Sequence, residues 1–215
     1  QRLGTQISTG EVKLNSLNPS IGFTFTQWGD QLLFVSYSSS FETPTLNELS
    51  ANPSGAAGFN PDLSPSRAYN LEGGWRFIQP ENTFEATLYA INTKDEILPY
   101  ELEDFPDRDF YRNAGNTSRM GIELFWEHQK GPWEWTVAYH YASIKFDDYV
   151  LKDKNLSGNF LPGIPQQQIN TSVQFDFSQS WGSALQTQYT GSLYADDANQ
   201  TQVADYFLAN LRSWK

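Results

Sequence analysis

Residues 120–141 read Met-Gly-Ile-Glu-Leu-Phe-Trp-Glu-His-Gln-Lys-Gly-Pro-Trp-Glu-Trp-Thr-Val-Ala-Tyr-His-Tyr. Met120, Ile122, Leu124 and Trp126 fall on one parity, with Gly121, Glu123 and Glu127 on the other. After a break at Gln129 to Pro132, Trp133, Trp135, Val137, Tyr139 and Tyr141 alternate with Glu134, Thr136, Ala138 and His140. Successive side chains of an extended chain point to opposite sides. The stretch therefore predicts two strands, about 117–128 and 133–145, joined by a tight turn and apolar on one face only.

The same period of two runs outward in both directions. It predicts further strands at about 19–27, 31–40, 66–78, 83–93, 167–177, 183–193 and 202–213, with one more possible in 1–18 and a less clear phase in the last. Many of these are about ten residues long, against about five or six for an ordinary strand. About 9–11 residues is the length a tilted strand needs to cross a bilayer. Short connections (Trp28 to Asp30, Gln79 to Asn82, Gln129 to Pro132, Ser178 to Gly182) take turns with long ones (about 41–65, 94–116, 146–166, 194–201). In an up-and-down sheet all short turns then lie at one rim and all long loops at the other, the pattern of an outer-membrane barrel. Trp28, Trp75, Trp126, Trp133, Trp135 and Trp181 cluster near the short turns, and Trp214 stands where the next is expected. Indole is amphipathic and favours a membrane–water boundary, whereas Trp of a soluble core has no reason to gather at one rim.

Composition agrees. The 215 residues are 39% hydrophobic and 15% aromatic, with seven Trp, eleven Tyr and fifteen Phe. Apolar runs reach four residues, as in Leu32 to Val35 and Tyr206 to Ala209, so no transmembrane helix or secretory leader is expected. A net charge of −11 argues against nucleic acid as a partner. Without Cys there is no disulfide framework or thiolate metal site. Gln1 opens the chain and Met120 is its single Met, from which a piece of a longer polypeptide is expected.

Residues 94–112 concentrate the chemistry. Asp95, Glu96, Glu101, Glu103, Asp104, Asp107 and Asp109 face three cations, Lys94, Arg108 and Arg112. Acidic loops can bind Ca²⁺ or Mg²⁺, but no dedicated calcium-loop spacing is present, and a solvated acidic surface accounts for them. Tyr100, Phe105, Phe110 and Tyr111 beside Arg108 and Arg112 can stack on a flat, anionic ligand or pack the loop onto its neighbours. His128 and His140 lack metal-ligand spacing. Glu72, Arg76, Glu85, Glu123, His140, Asp176 and Arg212 fall on the polar parity, where they are expected to line a barrel lumen and meet whatever fills it. No nucleophile, phosphate-loop or zinc motif appears, so neither an enzyme nor a bound cofactor or metal is expected.

Five strings carry a family resemblance: Ser40 to Leu49 (Ser-Phe-Glu-Thr-Pro-Thr-Leu-Asn-Glu-Leu), Asn60 to Pro65 followed by Ala68 and Tyr69, Asn113 to Arg119 followed by Gly121 and Glu123, Leu161 to Pro165, and Tyr206 to Leu211. In this order, over about residues 19–214, they resemble the barrel of TonB-dependent outer-membrane receptors. The prolines mark strand boundaries, where a missing N–H costs least, and Gly115 and Gly121 relieve crowding as the chain turns into a strand. The resemblance implies an all-β, antiparallel, up-and-down transmembrane barrel wall of about nine or ten strands, within a larger barrel of roughly 22. It implies residence in the outer membrane of a Gram-negative bacterium, contact with outer-membrane lipid, and work with a plug domain and TonB. The plug and energy-coupling box are not found in this sequence, so residues 1–215 are expected to be a partial barrel domain.

The implied function is energy-coupled uptake of a scarce nutrient, foremost an iron-siderophore complex. No loop His favours haem, and a single Met without Cys disfavours copper. Cobalamin, a glycan, a passive porin-like channel and a soluble aromatic-rich β-sheet binding module are the alternatives. On the barrel reading Ile21, Val35, Leu71, Leu88, Leu124, Val137, Val173 and Leu185 face lipid.

Overall fold

The computed structural model describes residues 11–54, 58–102, 105–113, 115–151, 154–178 and 180–215, and leaves the side chains of Gln27, Trp28, Glu101, Pro106 and Asp107 undescribed. The start of the segment in which a further strand was possible, and Glu103, Asp104, Asp153 and the Trp28 ring, lie outside these; residues 11–19 carry no regular structure.

In chain order the elements are β1 (Ser20–Trp28), β2 (Gln31–Glu42), α1 (Leu46–Ser50), β3 (Ser66–Gln79), β4 (Asn82–Lys94), β5 (Ile97–Leu102), β6 (Phe105–Asn113), β7 (Asn116–Lys130), β8 (Trp133–Asp148), β9 (Val150–Leu151), β10 (Lys154–Asn155), β11 (Gln167–Asp176), β12 (Gly182–Thr190), β13 (Leu193–Tyr194), β14 (Gln202–Val203) and β15 (Tyr206–Trp214). Nine of them form one antiparallel sheet in the order β1-β2-β3-β4-β7-β8-β11-β12-β15. Sheet order is chain order, and among the described residues β1 and β15 are not paired, so this wall is an open meander. All nine expected strands are present.

Register fixes the faces. The row Phe23–Val35–Gly73–Leu88–Ile122–Tyr141 runs through directly opposed residues of six strands, and Val137, Thr171 and Thr187 continue the same face. Its large side chains stand in the open: Ile21, Val35, Leu71, Leu88 and Leu185 are exposed, and Leu211 is 76% exposed. Among the described residues no second sheet covers them, as a soluble sandwich would require. Val137, Val173 and Leu124 share this face and are half-buried among larger neighbours. The opposite face carries Glu72, Arg76, Glu85, Glu123, His140, Asp176 and Arg212.

An aromatic belt lies on the apolar face at the short-turn rim. Trp75 packs against Phe77 and Phe84, Trp126 stacks on His128, and Trp133 meets Trp135 and Phe175, which leans on Phe177. Trp75 Nε1 donates to Gln31 Oε1 at 3.0 Å, a polar partner for an otherwise apolar ring. Trp214 departs from the belt. It sits on the polar face directly opposite Gly182, and its ring occupies the space a Cβ there would need. Phe34 over Gly74 and Tyr89 over Gly121 repeat the arrangement. In each pair the glycine lets a ring lie flat along the sheet. At Gly121 this replaces the expected easing of the turn into the strand.

Candidate functional site

The long connections are not open loops. The segment 94–116 continues the wall as the hairpin β5–β6, paired from Ile97↔Asn113 to Glu101↔Asp109. Small hairpins β9–β10 and β13–β14 fold the next two connections. The connection after β2 starts α1 with a capping box: Thr45 Oγ1 accepts from Glu48 N, and Glu48 Oε2 accepts from Thr45 N at 2.7 Å. Together these segments form a cap over one end of the wall.

Asn side chains and one aromatic cluster knit the cap. Asn113 Nδ2 donates to the Ser64 and Asp95 carbonyls, and Asn113 Oδ1 accepts from Ser64 N. Asn60 Nδ2 donates to the Tyr111 carbonyl. Asn199 exchanges two bonds with the Phe160 backbone. Phe146, Tyr149, Leu156 and Leu161 make a buried core, with Leu98, Ile144, Leu151 and Ala198 against it. Tyr149 Oη donates to Asp197 Oδ2 at 3.0 Å. Burial, then that carboxylate, push the Tyr149 phenol above its ordinary range, so it stays a neutral donor. Asp196 accepts from Gln200 N and Thr201 N, which hold its carboxyl below the ordinary range.

The structure brings together five of the six residues singled out for ligand contact. Phe110 is 1% exposed and packs on Tyr100 and Phe105. Arg112 lies over Tyr100 at 5.1 Å and over Tyr149 at 5.9 Å, and donates to the Val150 carbonyl. These groups are occupied in holding β6 to the neighbouring connection. Arg108 stacks on Phe110 at 4.9 Å and reaches Phe105, and both Arg108 and Phe105 are exposed. Tyr111 is on the opposite side of the hairpin, where its backbone meets Asn60.

Beneath the cap, the polar face holds a built cluster that sequence reading missed. Arg119 pairs with Glu96 at 2.6 Å and donates to Thr93 and Thr117, each at 2.8 Å; Thr117 also donates to Glu96. Thr117 is fully buried. Thr93, Glu96 and Arg119 border a 520 Å³ cavity whose other walls include Ser38, Ser40, Glu42, Ser66 and Asn70. Arg119 is seven residues beyond the acidic segment 94–112, but only β4–β7 pairing brings it to Glu96. Further down, Arg76 pairs with Glu85 at 2.8 Å, and Tyr89 Oη lies 2.9 Å from His140 Nε2. Glu123 is the direct cross-strand partner of His140, and Asp176 accepts from Gln174. Glu72 opposes Ser36 and Tyr89. Among the described residues no group of three His, Asp or Glu is placed to hold a metal ion.

Residues 2–215 match the family model described as TonB dependent receptor-like, β-barrel. Among solved structures, the chain is similar to the ferric yersiniabactin uptake receptor of Yersinia pestis at 22% identity and TM-score 0.67, over 92% of this chain and 29% of that one. It is similar to a copper transporter at 17% and 0.72, over 90% of this chain and 30% of that one. The ferric-catecholate import receptor of E. coli K12 matches at 17% and 0.69, over 91% and 28%. The chain thus spans about 30% of the length of these structures.

Proposed function

Because this chain belongs to the TonB-dependent receptor-like β-barrel family, we propose that it forms part of the wall and outer cap of a receptor in the outer membrane of a Gram-negative bacterium, and that this receptor takes up a scarce nutrient as an iron-siderophore complex. The observation that carries the reading is the pairing of an unsatisfied apolar face with a polar face under a folded cap. Lipid would cover the first. The second would meet a plug domain, which TonB would move. The polar face suits that contact because Arg76 and Arg119 are neutralised within the wall by Glu85 and Glu96, and hydroxyls, amides and further carboxylates are left to meet the plug. Two of the structural neighbours are described as ferric receptors.

Copper has a neighbour too, but this chain offers poor soft donors. Met120 is exposed on the apolar face, and His128 and His140 lie on opposite faces. In the cap, Arg108 with Phe105 is the part free to touch a ligand, since Phe110 and Arg112 are used internally.

The test is to delete residues 100–110 in the full receptor and measure ferric-siderophore binding to whole cells, with surface expression controlled. Weakened binding is expected. Unchanged affinity moves the contacts to other loops or the plug. If no iron chelate binds even the intact receptor, the siderophore reading fails, and cobalamin or a glycan replaces it.

A further inference from the structure

Most cations of the wall are matched locally, Lys130 by Glu81 at the short-turn rim and Arg212 by the ring of Trp214 on the polar face. On the polar face Arg76 and Arg119 each hold a carboxylate. On the apolar face, at the cap end, Arg67 and Lys94 are direct cross-strand partners, and Lys145 lies two strands further on, opposite Ser118. Among the described residues none of these three pairs with a carboxylate. Each lies over an aromatic ring instead: Arg67 over Phe41 at 5.7 Å, Lys94 over Tyr69 at 5.9 Å and Lys145 over Phe160 at 4.7 Å. Like charges placed directly opposite destabilise a sheet. In a chain of net charge −11, leaving two of them together without a carboxylate is unexpected. Asp147, at the end of β8, already accepts the Ser118 hydroxyl.

We propose that Arg67, Lys94 and Lys145 bind the headgroup of a phosphate-bearing anionic lipid at the outer rim of the wall. A phosphate between Arg67 and Lys94 would neutralise both and accept from both. Below them the register continues through Tyr37, Leu71 and Ala90 to Gly73, whose missing side chain opens an apolar groove of 820 Å³ between Phe23, Val35, Leu88 and Ile122. From Arg67 to Gly73 the strand climbs about 20 Å at ~3.3 Å per residue. Tilted by ~45°, that is roughly 14 Å of depth, close to half of a ~30 Å hydrocarbon core. Headgroup cations and groove are therefore spaced for one lipid with its acyl chain running to the bilayer midplane. The inference rests on the apolar face being the lipid-facing one, and it is independent of which nutrient is carried.

The experiment is native mass spectrometry of the detergent-purified full receptor with dioleoyl phosphatidic acid, dioleoyl phosphatidylcholine or inorganic phosphate. Phosphatidic acid should be retained in preference to phosphatidylcholine. R67Q/K94Q should weaken its retention about 25-fold and K145Q about fivefold, from the ~1 kcal/mol per cation expected near a charged membrane surface. R67K should keep it, and R76Q, on the other face, should leave it unchanged. Heat-stable barrel migration verifies that each variant is folded. Equal retention of the two lipids, or full retention by R67Q/K94Q, overturns the site. Displacement by millimolar inorganic phosphate overturns the lipid as occupant. A full receptor that stays soluble without detergent sinks the lipid-facing reading and the site with it.

Discussion

Wall strands of nine to sixteen residues leave their largest apolar side chains in the open, whereas the cap, together with the end of β8 that runs into it, contains the most deeply buried ones, with Phe110, Phe146 and Tyr149 at 2% exposure or less. The wall is joined by backbone ladders and relies on its surroundings to cover both faces. The cap obeys the rule of soluble proteins and builds its own core, because water is on its outside. The same substitution therefore has opposite meanings in the two regions: an added charge is worst on the wall's exposed surface, and a lost ring is worst in the cap's interior.

The largest effect tests the cap half of this comparison. Phe146→Ala should cost about 3–5 kcal/mol of local stability, the usual range for a buried Phe. Limited proteolysis of the full receptor should then cut within 149–166, while heat-stable migration of the barrel persists. Loss of the barrel along with the cap would mean that the two regions are one cooperative unit.

Next comes the wall. Val137→Arg or Val173→Arg should cost about 2–4 kcal/mol near the bilayer midplane. Arg at Ala138 or Ser172, on the other face, should cost clearly less. Urea titrations of the full receptor in lipid vesicles compare the pairs. Equal costs would show that the faces are misassigned.

A smaller effect asks whether the polar face of the wall is itself close-packed. At Gly121 a Cβ would meet the Tyr89 hydroxyl and come within 2.5 Å of the Tyr141 carbonyl. Gly121→Ala should cost about 1–3 kcal/mol by overpacking. Adding Tyr89→Phe should recover part of that, leaving the backbone clash. Additive costs in the double-mutant cycle would show that the ring moves aside freely.

The smallest effect is a pH response of the cap alone. The Asp196 carboxyl is held below its ordinary value by the Gln200 and Thr201 amides. A depressed carboxyl contributes stability that is complete above its unfolded value, about 3.9, and is lost as pH falls through the lower folded value. Exchange of those two amides should quicken below about pH 3.9, with wall amides unaffected. Unchanged protection at low pH would show that the bonds hold without the charge.

The wall was legible because alternation is a local signal, and the pleat carries it directly into the structure. All eight residues expected on the outer face share it, though Val137, Val173 and Leu124 are shaded by neighbours. The phase of β15 stayed obscure because Leu208 and Leu211 put apolar bulk on both sides. The cap was much less readable. Thr45-Leu-Asn-Glu48 is a capping-box spelling that was present but unused. The hairpin β5–β6 was hidden by its acidic composition, which reads as a solvated loop. That Phe110 and Arg112 face inward depends on Tyr149 and Val150, nearly forty residues away in the chain, and no local pattern reports it. The apolar-face cations were invisible for a similar reason: Arg67 and Lys94 become neighbours only through register.

That sheet order repeats chain order also governs how such a wall can form. Each strand's partner is the strand just made, so hairpins across the short turns, such as β3–β4 and β7–β8, need close only a few residues. The longest closure, from Glu42 to Ser66, encloses about two dozen residues, and loop entropy grows only logarithmically with that length. Contacts of low sequence separation favour rapid folding. Nothing in the connectivity requires a distant strand to be found before a nearby one is placed, so the wall can extend hairpin by hairpin, each completed edge templating the next.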